Sequence, residues 1–176
     1  MSRPVCSVFV GVSLDGFIAG PGGALDWLRP FEGEEVVELG CGVGLSGIAA
    51  ARSGATVLMT DYEEEAPAFA RWNAERNGGG GATEFLHFDR RRAVLPRRFP
   101  WIIGADITYE RQNFLPLLET FDALLSPRGE IVLADPNRQT AGPFLVLAAE
   151  WGYDRVTTPV RLLHRGQQAE VAIHRL

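Results

Sequence analysis

The sequence predicts an α/β fold, an open and mostly parallel sheet with helices on both faces, closed by an antiparallel hairpin. Two observations predict the sheet. From about residue 33 onward, short apolar runs alternate with amphipathic stretches. The runs also stop at chemically similar places: a glycine-rich loop from Gly40 to Gly44, then the carboxylates Asp61, Asp89, Asp106 and Asp135. A third observation predicts the hairpin, since the last two extended segments are separated only by a polar turn around Gly166.

The elements follow in order. Val36 to Leu39 is the first strand, and Leu45 to Ser53 reads as a helix with Gly54 placed to cap it. Ala55 to Thr60 is a second strand with Asp61 at its end. Glu63 to Asn77 reads as a helix, with acids and Pro67 near its start, where the dipole favours negative charge and a missing N–H costs least. Glu84 to Phe88 and Trp101 to Ala105 are strands ending at Asp89 and Asp106. Phe114, Leu117, Leu118, Phe121 and Leu125 fall at helical spacing, and Pro127 and Gly129 are expected to end that helix before the strand Ile131 to Ala134. Pro143 to Trp151 is the last helix, and Tyr153 to Leu163 with Ala169 to Leu176 form the hairpin. Trp72 and Trp101 are expected to pack in the core or at its rim.

Composition narrows the function. The 176 residues suit one domain with a real core, and 46% hydrophobic with 22% charged residues excludes disorder. A net charge of −5 argues against nucleic acid or anionic lipid as a partner, and no apolar run approaches the length of a membrane helix. The apolar segment from Val5 to Leu14 is broken by Ser7 and Ser13 and reads as a strand rather than a signal segment. Cys6 and Cys41 lack zinc spacing, and His87, His164 and His174 lack ligand spacing, so no metal is expected and a reducing cytoplasm fits. All 17 basic residues are arginines, five of them in an island at positions 90–92, 97 and 98. The island either recognises an acidic partner or balances nearby acids in a solvated loop.

In open α/β sheets ligands bind beyond the carboxyl ends of the strands. A glycine loop after the first strand, followed about 20 residues later by an acid, suits a nucleoside ligand whose ribose hydroxyls donate to that acid. Gly40 and Asp61 have that spacing. The plainer reading is a tight turn and nothing more. Residues 42–47 also satisfy G-x-G-x-x-G, a pattern of dinucleotide enzymes, but Glu38 would repel a pyrophosphate and welcome a cationic group.

Residues 36–45, Thr60-Asp61-Tyr62, Gly104-Ala105-Asp106-Ile107-Thr108-Tyr109-Glu110 and Leu133-Ala134-Asp135-Pro136-Asn137-Arg138 together resemble the ordered motifs of class I S-adenosyl-L-methionine-dependent methyltransferases. The subgroup they are most similar to is the methyltransferase-like protein-lysine methyltransferases. The resemblance covers about residue 34 to the end of the sequence and implies a Rossmann-like, seven-stranded sheet. It implies that Glu38, Gly40, Gly42 and Gly44 surround the methionine part of the cofactor, that Asp61 holds the ribose, that Tyr62 packs on the adenine, and that Asp89 meets the adenine amino group with Ala105 nearby. The family usually has tryptophan after this last acid, where Arg90 stands here. Asp106 and Tyr109 match its D-x-x-Y element beside the target amine. Asp135, Asn137 and Arg138 match its D-P-x-R element and imply substrate contacts. For Asp106 a structural role at the strand end is the alternative, and for Tyr109 a packed ring with a solvated hydroxyl.

The implied function is N-methylation of a protein lysine, with a small-molecule amine or a noncatalytic binding module as alternatives. Residues 1–33 stand apart as an atypical segment preceding a methyltransferase domain at 34–176. Residues 8–21 with Leu25 to Leu28 resemble the opening of the dihydrofolate-reductase-like domain of riboflavin-biosynthesis reductases, which leaves an NAD(P)-dependent reductase as a third reading. Nothing before Glu34 matches the tryptophan-containing helices with which the family usually covers its cofactor. The sequence sets no oligomeric state.

Overall fold

The computed structural model describes residues 31–78, 80–89, 91, 95–164 and 167–176. Its strands are β1 (Glu35–Leu39), β2 (Thr56–Asp61), β3 (Thr83–His87), β4 (Phe99–Ala105), β5 (Leu125–Asp135), β6 (Val156–His164) and β7 (Gln167–Arg175). The helices are α1 (Leu45–Arg52), α2 (Ala66–Arg76), α3 (Phe114–Leu124) and α4 (Ala141–Trp151). The seven strands form one sheet in the order β3-β2-β1-β4-β5-β7-β6. The first five are parallel, and β7 runs antiparallel to both β5 and β6. The expected architecture is therefore the observed one.

β1 lies between β2 and β4, and its side chains are covered by α1 and α2 on one face and by α3 and α4 on the other, so its apolar run is nearly continuous. The chain winds outward from β1 through β2 to β3, then returns to the other side of β1 as β4. The strand order reverses there, which opens a crevice above the carboxyl ends of β1 and β4. One face of the sheet packs Val36, Val57 and Met59 against the alanines of α1 and α2. The other packs Val37, Ile102 and Ile131 against Phe114, Leu117, Phe121 and Phe144 of α3 and α4.

Four local expectations are corrected. α2 begins at Ala66, not Glu63, because the Glu63 N–H is taken by Asp61 Oδ1 at 3.0 Å and the intervening residues form a turn. Pro127 and Gly129 lie inside β5, which starts directly after α3. A register shift between Phe99 and Trp101 accommodates them, and a Cβ at Gly129 would lie 2.9 Å from the Pro100 carbonyl oxygen. Trp72 is 55% exposed, with the Arg76 guanidinium 3.8 Å from its ring centre, whereas Trp101 does pack edge-on against Phe31. Tyr153 precedes the hairpin, and its hydroxyl donates to Asp122 Oδ1 at 2.7 Å.

The residues at 1–30, on which the reductase resemblance rests, lie outside the described residues, as do Gly166, Arg90 and Arg92. Of the arginine island, Arg97 bridges Glu35 and Glu84 at 3.1 and 3.2 Å, the charge-balancing arrangement. Cys41 is a buried free thiol. Among the described residues no helix is long and apolar enough to cross a membrane, and no cluster of metal-ligating side chains occurs.

Phe144 is fully buried, edge-on to Phe114 and Phe121 with ring centres 5.2 and 6.4 Å away. Phe144→Ala is expected to lower stability by about 3–5 kcal/mol, read from urea unfolding.

Candidate functional site

The crevice above β1 is built from its floor upward. Glu38, the fourth residue of β1, is buried, and its Oε2 accepts the Gly47 N–H at 3.0 Å. Burial pushes its carboxyl up to about 8, against hydrogen bonds from Gly47 and Ser46 that pull it down. Gly40 and Gly44 sit at φ 69° and 85°, and a Cβ would strike Ile107 Cγ2 at the first and Ala70 Cβ at the second, both at 2.8 Å. Gly42 differs. At φ 51° it faces open space, with nothing within 4 Å of where a Cβ would stand. The loop thus presents backbone to the crevice at Gly42 and is anchored on either side of it.

Asp61 ends β2 and ties the neighbouring loops together. Its Oδ2 accepts the Gly42 N–H at 2.8 Å and its Oδ1 the Glu63 N–H, while the carboxylate is 7% exposed. Each oxygen keeps a further lone pair for a ligand hydroxyl. Beyond β3, Asp89 is gripped by Arg91, whose Nε and Nη2 donate to its two oxygens at 2.8 and 3.0 Å and whose N–H adds a bond of 3.0 Å. The Arg91 guanidinium lies 5.3 Å from the centre of the Tyr62 ring. These residues, with Glu110 and Asn113, line a small cleft.

The other wall comes from β4 and β5. Asp106 follows β4 at φ 56°, an uncommon conformation for a residue with a side chain, with its N–H bonded to the Ala134 carbonyl at 2.8 Å. Both its carboxylate oxygens pair with Arg138, through Nε to Oδ1 and through Nη2 to Oδ2. Arg138 is aimed by the turn after β5: its N–H donates to Asp135 Oδ1 at 2.7 Å, and the preceding Asn137, at φ 61°, donates its side-chain amide to the Glu170 carbonyl at 2.9 Å. Asp135 is buried and also accepts from the Thr108 hydroxyl at 3.0 Å. Ala105 lies at the end of β4, paired with Ala134.

Tyr62 and Tyr109 meet across the crevice. Their strands β2 and β4 flank β1, so the 3.2 Å hydrogen bond between their hydroxyls arches over the glycine loop. That bond, with partial burial, raises the Tyr62 pKa and keeps the hydroxyl neutral. Tyr109 is 40% exposed, and the Arg138 guanidinium lies 6.0 Å from its ring centre.

The structure therefore gathers Glu38, Gly40, Gly42, Gly44, Asp61, Tyr62 and Asp89 on one side of the crevice and Ala105, Asp106, Tyr109, Asp135 and Arg138 on the other. Asn137 faces away, toward the hairpin. The sequence reading missed three participants. Arg91 stands out in the sequence only as part of a basic run and Thr108 only as a filler of D-x-x-Y, while Asn73, whose side-chain amide donates to the Val43 carbonyl at 2.9 Å, carries no signal there. An arginine two residues after a strand-end carboxylate was the available signal for Arg91.

Comparison with known proteins places this geometry. The model of a family described as lysine methyltransferase matches residues 26–147. The chain belongs to this family. Its sequence is 35% identical over 115 residues to mouse EEF1A lysine methyltransferase 3, an alignment covering 64% of this chain and 49% of that protein. It is 36% identical over 108 residues to mouse protein N-lysine methyltransferase METTL21A, covering 58% and 49%. The chain thus spans about half the length of the curated relatives it matches. In fold it is similar to an O-methyltransferase from Bacillus cereus solved with S-adenosylhomocysteine, with a TM-score of 0.66, 18% identity, and coverage of 93% of this chain and 84% of that one.

Because the Glu38 carboxyl is raised from 4.5 to about 8 on folding, its contribution to stability is complete below about 4.5 and is lost as the pH rises through about 8. Glu38→Gln is expected to remove that loss, so urea midpoints of the two proteins should diverge across this window in favour of the variant at its alkaline end.

Proposed function

We propose that the chain is an S-adenosylmethionine-dependent N-methyltransferase whose acceptor is a lysine side chain of another protein, acting in the cytoplasm. The observation that carries the reading is the crevice over β1, where a glycine loop and three carboxylates on one side face the Asp106–Tyr109 element on the other. The donor set fits the cofactor. Gly42 leaves open space for a ligand against the loop, Asp61 can accept from ribose hydroxyls, and Glu38, kept protonated at neutral pH by burial, would ionise beside an incoming ammonium. The Gly42 N–H, which a pyrophosphate would need, is taken by the Asp61 carboxylate, and this disfavours the dinucleotide reading. When bound, S-adenosylmethionine supplies an activated methyl group on a sulfonium.

What remains for the chain is positioning and desolvation. Glu38, Gly40, Gly42 and Asp61 would hold the methionine and ribose parts, with Tyr62 and Asp89 at the adenine. Asp106 and Tyr109 would accept hydrogen bonds from the incoming amine and aim its lone pair. A lysine attacks only as the neutral amine, and Asp106 paired with Arg138 is a suitable acceptor: the pair is electrically neutral overall, so it orients an N–H without holding the amine in its ammonium form. Asp135 would act through Arg138, whose N–H it fixes.

The sequence contains no lysine, which makes a clean assay. With methyl-labelled S-adenosylmethionine and a heat-treated, desalted cell extract, labelled methyllysine that is recovered after acid hydrolysis of the protein fraction and depends on the added chain can come only from a partner protein. Its appearance is the expected result. Tight binding of S-adenosylhomocysteine without transfer to any lysine would overturn the lysine reading. Asp106→Ala is expected to lower turnover about 100-fold with cofactor affinity within about twofold of wild type. Asp61→Ala is expected to weaken S-adenosylhomocysteine binding at least about tenfold, since it removes both the proposed ribose acceptor and the anchor of Gly42.

A further inference from the structure

Arg91 lies between the two side chains that the cofactor reading assigns to the adenine ring. Its fork donates to both oxygens of Asp89 at 2.8 and 3.0 Å, and its guanidinium carbon lies 5.3 Å from the centre of the Tyr62 ring. Glu110 and Asn113 close the same cleft. What this cleft recognises is a flat group with a π-face for Tyr62 and in-plane N–H donors for Asp89. A guanidinium meets that description, and so does the amino edge of adenine.

We propose that Arg91 is a built-in competitor of the adenine, holding the seat between Tyr62 and Asp89 and thereby weakening cofactor binding. The inference rests on the S-adenosylmethionine reading above. Adenine enters by taking over the Asp89 carboxylate and the Tyr62 face as the arginine side chain swings out. The exchange is inexpensive on the arginine side, where the Arg91 side chain is 46% exposed and returns to water, while Asp89, 13% exposed, exchanges one set of donors for another. Salt tunes the competition, because screening loosens the Arg91–Asp89 pair while leaving the neutral adenine unaffected.

The test is calorimetric titration of wild type, Arg91→Ala and Arg91→Ser with S-adenosylhomocysteine and with adenosine, at about 0.05 M and about 0.5 M salt. Both variants are expected to bind both ligands about threefold more tightly than wild type at low salt, with the gap closing at high salt. Thermal melts matching wild type confirm that the variants fold, as the exposure of the side chain leads one to expect. Equal or weaker binding by both folded variants at low salt, or a gap that salt does not narrow, overturns the proposal. Failure of all three proteins to bind either ligand instead overturns the cofactor reading, and the competition falls with it.

Discussion

Glu38 lies buried at the carboxyl end of β1 with its Oε2 on the Gly47 N–H, and the geometry of the crevice follows from this contact. A side chain on residue 47 would collide with that carboxyl oxygen and with Met59, so the first turn of α1 is held against the sheet. With α1 there, Gly44 meets Ala70 of α2, and the loop from Gly40 to Gly44 has one path left to it. Gly42 is then brought to Asp61, which fixes the entry to α2 as well. Small residues along α1 and α2 serve the same end, since Ala49, Ala50, Ala70 and Ala74 let two helices lie close to the strands that carry the site.

The carboxyl edge of the sheet concentrates negative charge, and the chain answers it with forked cations. Asp89 and Asp106 each receive a two-pronged arginine, and each arginine also lies over or near a tyrosine ring. The sequence Asp89, Arg91, Tyr62, Tyr109, Arg138, Asp106 is one continuous line of contacts running from the end of β3, over β1, to the turn after β5. A lysine could neutralise a carboxylate, but it has no planar face to lay on an aromatic ring. The two sides of the crevice are therefore joined, with the two tyrosine hydroxyls as the link.

Strand ends were legible in the sequence because burial on both faces demands continuous apolar runs, and the polar residue that stops such a run marks the edge where ligands bind. The glycine loop, Asp61 and Asp106 could be found on that ground, whereas Tyr109 entered only through the resemblance to the methyltransferase motifs. Partner choice was not legible: Arg138 is 32 residues from Asp106, and no periodicity shows that their side chains meet. The same holds for the Tyr62–Tyr109 bond, which depends on β2 and β4 flanking β1. The late start of α2 and the early start of β5 escaped for a different reason. At α2 a competing local turn, Asp61 with the Glu63 N–H, and at β5 a tertiary contact, Gly129 against Pro100, overrode the preference that the prolines and acids express.

The hairpin enters the sheet in an inverted order, with β7 seated between β5 and β6 although it follows both in sequence. β6 therefore has no seat of its own beside β5 and belongs to the sheet only through β7, with which it pairs along its whole length. Loss of β7 from the β5 edge would release both arms of the hairpin together and uncover the edge of the parallel strands.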